Sequence, residues 1–174
     1  MNDHRQTFEA MALPHMDAAY NLARWLSRSP TEADDIVQDA MLRAFRAFHG
    51  FRGENIKPWL LAIVRNCWRS RAADIQRRGH TSLPDEDQEA LRSPEADPEA
   101  QSLTASESRR LQACIAELPE DFREALILRE MEDMSYREIA EATGAPIGTV
   151  MSRLARARAQ LKERWLADER HDMR

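Results

Sequence analysis

The feature that most limits what this 174-residue chain can become lies between residues 81 and 100, where TSLPDEDQEALRSPEADPEA sets Pro84, Pro94 and Pro98 among a run of carboxylates. Residues 81–108 hold 1 Lys or Arg against 8 Asp or Glu and almost no large apolar side chain. Such a segment cannot bury enough surface to offset its own ordering entropy, and it reads as a linker. It divides the chain into an N-terminal module, 1–80, and a C-terminal module, 109–174, both too small for a barrel or a complex active site.

Both modules are expected to be helical. Ala (26), Glu (17), Leu (16) and Lys+Arg (25) make up about half the chain, whereas Val occurs only at Val37, Val64 and Val150; this favours helix over sheet. No run approaches the roughly 18 apolar residues of a membrane span. The start, MNDHRQTFEA, lacks the apolar stretch of a secretory signal, and Cys67 and Cys114 are too few for a disulfide framework. The expectation is a cytoplasmic protein without membrane insertion.

The net charge of -5 is unevenly spread. Residues 1–80 carry 12 basic against 9 acidic groups and residues 109–174 carry 12 against 13, so the acidity belongs to the middle. Near the C-terminus Arg153, Arg156, Arg158, Lys162 and Arg164 form a basic stripe broken only by Glu163.

In the N-terminal module Met16, Ala19, Tyr20, Ala23 and Leu26 recur at helical spacing up to a break at Ser29-Pro30. A second helix restarts at Thr31, three residues ahead of Asp34 as in a capping box, and its apolar stripe is Val37, Ala40, Met41, Ala44, Phe45 and Phe48. Asp35, Gln38, Asp39, Leu42 and Arg46 form its other face, and periodicity alone does not separate a docking surface from a solvated one. After a Gly50–Gly53 turn, a third helix spans about 59–77, with Leu60, Ile63, Val64 and Cys67 toward the core and Arg65, Arg69 and Arg71 opposite. Positive charge beside the aromatics Phe51, Trp59 and Trp68 is the mixture that binds single-stranded DNA. Trp59, which opens an apolar run, reads as structural; Trp68 fits either role.

The C-terminal module is more specific. Leu111, Ile115 and Leu118 end one helix at Pro119, and 122–132 form another. Ser135-Tyr136-Arg137-Glu138 is a capping box, Ile139 and Ala140 follow, Gly144 turns the chain, and Pro146 opens a helix whose inner stripe is Val150, Leu154, Ala157 and Leu161. Two helices joined by a glycine turn form a helix-turn-helix. The second presents Thr149, Ser152, Arg153, Arg156 and Gln160, short polar groups and arginines suited to base edges and phosphates. The five histidines are scattered, neither cysteine lies in a CxxC pair, and no phosphate loop or nucleophile elbow occurs, so neither an enzyme nor a cofactor or metal is expected.

Three stretches together resemble one family: Asp34-Asp35-Ile36-Val37-Gln38-Asp39 continuing to Leu42-Arg43-Ala44-Phe45; Trp59-Leu60 with Ile63-Val64-Arg65-Asn66; and Ser135–Ala140 leading to Gly148–Leu154. In order and spacing they are similar to the extracytoplasmic-function (ECF) group of bacterial RNA polymerase sigma factors. The resemblance implies an all-α protein with a sigma-2 domain at 1–80 and a sigma-4 helix-turn-helix domain at 109–174, joined by the flexible acidic linker 81–108.

By the same resemblance, Asp35, Val37, Gln38, Asp39, Leu42 and Arg43 would dock on the beta-prime clamp helices of core RNA polymerase, which also contributes its beta subunit. Phe51, Arg52, Asn55, Arg65, Asn66 and Arg69 would receive flipped bases of the -10 element. Thr149, Met151, Ser152, Arg153, Ala155, Arg156 and Arg158 would meet the -35 element, with Ser152 and Arg156 the leading base contacts and Arg153 and Arg158 serving phosphate or support. Met151 departs from the Lys or Arg many relatives carry. An anti-sigma factor is the further partner implied. The alternative is a stand-alone helix-turn-helix regulator, which would bind duplex DNA without polymerase.

Overall fold

The computed structural model describes residues 2–79 and 98–172. The described residues are helical throughout, as the composition requires. The first half contains α1 (Asn2–Ala12), α2 (Met16–Ser27), α3 (Pro30–Ala47) and α4 (Ile56–Arg78). The second contains α5 (Pro98–Ala116), α6 (Glu120–Glu130), α7 (Tyr136–Thr143) and α8 (Ile147–Asp172). Most of the stretch read as linker lies outside the described residues, but α5 takes in its last part from Pro98 onward.

Helices α2, α3 and α4 pack mutually, burying Leu22, Leu26, Ile36, Val37, Ala40, Leu61 and Val64. The N-cap of α3 is Ser29, whose hydroxyl accepts from the Glu32 N–H at 3.3 Å, rather than Thr31. Pro30 explains the shift: it occupies the first helical turn, where a missing N–H costs nothing, so the helix starts before Thr31. Phe45, expected inside, is 38% exposed. Helix α1, which the sequence pattern did not reveal, lays Phe8 and His4 against Phe45 and Phe48 with ring centroids 5.2–5.7 Å apart.

In the second half α6 and α7 pack on α8, and Ile127, Leu128, Met134, Ile139 and Leu154 are essentially inaccessible. Gly144 closes α7 with φ 68°, a conformation that costs a side-chain-bearing residue about 1–2 kcal/mol.

The two halves do not stand apart. Helix α2 packs on α6 and α4 on α7, and one apolar cluster runs from Ala19, Leu22 and Leu61 through to Leu126, Met134 and Leu154. This docking, which composition gives no means of anticipating, decides which surfaces reach solvent.

Candidate polymerase and nucleic-acid interfaces

The helix-turn-helix is built as its residues demand. The Ser135 hydroxyl accepts from the Glu138 N–H at 3.2 Å while the Glu138 carboxylate accepts from the Ser135 N–H at 2.8 Å, satisfying two donors that a helix start leaves open. Accepting from that backbone N–H holds the Glu138 carboxyl below its ordinary range. Val150, Leu154 and Ala157 then anchor α8 inward.

The outer side of α8 exposes Met151, Ser152, Ala155 and Arg156, with Thr149 half-buried beside them. Three of its other arginines are engaged. Arg153 donates to Asp121 at 2.9 Å and Arg158 to Glu130 at 2.6 Å, and Arg164 pairs with Glu117. Arg156 makes no ion pair among the described residues, so its guanidinium is the one on this face presented without a competitor.

On α3, Asp35, Gln38, Leu42 and Arg43 are exposed and Asp39 is half-buried. Arg43 pairs with Asp39 at 2.9 Å, one turn away, and Asp35 with Arg71 of α4 at 3.4 Å. Exposed pairs of this kind are worth at most about 1 kcal/mol and yield readily to a competing partner. Leu42 is 57% exposed in their midst. Val37 departs from the expected docking set: at 6% exposure it belongs to the core, because it lies on the same stripe as Ala33, Ile36 and Ala40.

The third group occupies the loop before α4 and that helix's basic side. Phe51 stacks on Phe48 at 6.1 Å and tilts over Trp59 at 5.1 Å, which supports the structural reading of Trp59. A Cβ on Gly53 would sit 3.0 Å from the Phe51 ring, so the glycine permits that approach. Arg52 donates to the carbonyls of His49 and Phe51 at 2.7 and 2.9 Å. Asn55 caps α4 by accepting from the Lys57 N–H at 3.0 Å, and its amide donates to Glu138 of α7 at 2.8 Å. Asn66 is exposed.

Arg65 is not solvent-facing. It is 8% exposed, with Nε 2.6 Å from Oε1 of the buried Glu124 in α6. Burial pushes the Glu124 carboxyl above its ordinary range, with Arg65 pulling the other way. One turn on, Arg69 meets Asp121 at 3.0 Å, and between them the Trp68 indole donates to Glu120 at 3.3 Å.

Two residues the sequence did not single out organise these contacts. Asp121 joins Arg69 of α4 to Arg153 of α8, and Glu124 receives Arg65. Their position at the start of α6 resembles ordinary helix-start acidity, so no spacing distinguishes them. Cys67 is fully buried, and burial pushes its thiol up to about 11, which makes it unreactive as a thiolate. Among the described residues no cluster of His, Cys, Asp or Glu could hold a metal ion, and no helix is long and apolar enough to cross a membrane.

Residues 11–78 match the family described as Sigma-70 region 2, and residues 108–161 match Sigma-70, region 4. The chain is 31% identical over 160 residues to the ECF RNA polymerase sigma factor SigE of Mycolicibacterium smegmatis, with 90% of this chain and 61% of that one covered. It is 34% identical to the RNA polymerase sigma-H factor of Pseudomonas aeruginosa, covering 88% of this chain and 83% of that one. Among solved structures it is similar to the sigma factor RpoE of Bartonella quintana in complex with the anti-sigma factor NepR, at TM-score 0.74 and 28% identity, covering 97% of this chain and 99% of that one. It is also similar to CnrH in complex with the cytosolic domain of CnrY, at TM-score 0.66 and 26% identity, covering 94% and 90%. With both sigma regions matched in order, and relatives above 30% identity covered over more than two thirds of their length, the chain belongs to the ECF RNA polymerase sigma factors.

Proposed function

We propose that this protein binds core RNA polymerase in the cytoplasm and directs it to a two-part promoter, contributing recognition and strand capture and leaving catalysis to the polymerase. In this reading residues 1–80 bind the beta-prime clamp helices and the melted -10 element, 109–174 bind the -35 element, and the acidic linker spans the cleft between them. The observation that carries it is the helix-turn-helix whose second helix turns Ser152 and Arg156 outward while Arg153, Arg158 and Arg164 are paired. A polar residue and an arginine at that place reach base edges in a major groove.

The exposed Leu42 among Asp35, Gln38, Asp39 and Arg43 supports polymerase docking by α3. Control by an anti-sigma factor fits the company kept by the two structural relatives, one bound to the anti-sigma factor NepR and the other to the cytosolic domain of CnrY. Asp39→Ala is expected to weaken binding to core polymerase about tenfold, or roughly 1.4 kcal/mol, while leaving the preference among DNA duplexes unchanged. Fluorescence anisotropy with purified core polymerase reads this directly. Unchanged core affinity would remove α3 from the docking surface, and tight palindrome-specific duplex binding without polymerase would favour a stand-alone regulator.

A further inference from the structure

We propose that the exposed apolar line of α8, centred on Met151, reads the C5-methyl groups of pyrimidines on the floor of a major groove. The protein thereby distinguishes thymine from uracil, and 5-methylcytosine from cytosine, at one position of its site. The proposal rests on the assignment of α8 to the -35 duplex. Ile147, Met151 and Ala155 follow one another four residues apart, so they share one side of the helix. Ile147 is 46% and Met151 52% exposed, and Ala155 is exposed beyond them. The core takes nothing from this line, because Val150, Leu154 and Ala157, each at most 1% exposed, anchor the helix. Ser152 and Arg156, also four apart and exposed, run alongside it.

The surroundings of the line decide what covers it. Arg156 is exposed and makes no ion pair among the described residues, whereas Arg153, Arg158 and Arg164 are held by acids. A free guanidinium, a hydroxyl and a narrow apolar line set side by side complement a major groove, where phosphates flank the base edges and thymine adds a methyl. A stable protein partner needs about 20–30 residues a side, which a line of three side chains does not supply. Ala155 is too short to reach far and Ile147 stands in the first turn, so Met151 carries the contact. Its unbranched, polarisable thioether arm adapts to a single methyl group. Burying one methyl is worth roughly three- to fourfold in affinity. Hydrogen-bonding edges then fall to Ser152 and Arg156, and the methyl to Met151.

The test uses the whole protein with core RNA polymerase. A duplex pool randomised over the -35 segment is bound by this complex, and the enriched sequence is resynthesised with each dT of either strand replaced in turn by dU, which pairs identically and lacks only the methyl. Affinity should fall roughly three- to fourfold at one thymine. A dC·dG pair in place of that dT·dA pair should bind more weakly, and 5-methyl-dC there should recover the methyl's share. Met151→Gln, of nearly equal length, should abolish the difference between dT and dU, and Met151→Leu should keep it. Arg156→Ala should lower affinity and leave the difference intact. A dU series without loss, or an enriched site with no A·T pair, would overturn the proposal while leaving the -35 assignment standing. A loss that persists in Met151→Gln would overturn it too, since another residue would then hold the methyl. A pool without enrichment would count against the assignment of α8 to duplex reading, and the methyl contact would fall with it.

Discussion

Helices α4 and α8 start from similar material, an apolar stripe backed by arginines, yet they dispose of their charges differently. On α8 the partners come from its own module: Asp121 holds Arg153, Glu130 holds Arg158 and Glu117 holds Arg164. These pairs flank the outward side and leave Arg156 projecting. On α4 the partners of Arg65 and Arg69 come from the other module, and they cover the side that carries the charge. An amphipathic pattern therefore identifies the polar side of a helix without saying whether that side is presented. In this conformation the side of α8 that bears Ser152 and Arg156 is presented, whereas Arg65 and Arg69 of α4 are met by carboxylates of the second half.

The largest expected effect tests how far the two regions depend on each other. Leu154 is 1% exposed at the centre of the α8 stripe, so Leu154→Ala should cost about 2–5 kcal/mol in urea denaturation. Because the apolar cluster continues into α2 and α4, the transition reported by Trp25 and Trp59 should move with it. If that transition stayed in place, the second half would add nothing to the stability of the first.

A smaller effect probes the presented surface alone. Arg156→Ala should weaken binding to a -35 duplex by about 1–3 kcal/mol and relax base preference there. It should alter unfolding by no more than about 0.5 kcal/mol, since the side chain is exposed and unpaired among the described residues. Unchanged promoter choice would mean that another face of α8 reads the DNA.

The smallest effect sets two carboxylates against each other. Glu138 has a folded value below the ordinary 4.5, so its stabilising contribution is complete above that pH and is lost as pH falls through the folded value. Glu124 is raised, so the folded protein holds its proton longer, and its cost appears as pH rises from 4.5 through the raised value. In thermal melts between about pH 3 and 7, Glu138→Gln should flatten the loss on the acid side and Glu124→Gln the decline above it. Melts of both variants parallel to wild type would contradict these assignments.

Much of the architecture could be read from local rules. The Ser135–Glu138 capping box, the Gly144 turn and the Val150, Leu154, Ala157 stripe are encoded within a few residues of one another, and they stand in the structure as expected. The α3 start lies two residues before the one its capping pattern predicts, because Ser29-Pro30 and Thr31 offer competing caps and the proline decides between them. Family likeness places Val37 on the docking surface, whereas its spacing puts it on the stripe that is buried. The masking of Arg65 was illegible because its partner lies 59 positions away on a different helix. Pairings at that distance leave no periodic trace, and Glu124 looks like any acid in a helix's first turns.

The central claim is tested most directly by transcription in vitro from fragmented genomic DNA, comparing core RNA polymerase alone with core plus this protein. The account predicts new, discrete start sites that share two upstream sequence elements and that disappear with Asp39→Ala at limiting core. Unchanged transcripts, with the protein still binding duplex DNA by itself, would contradict it.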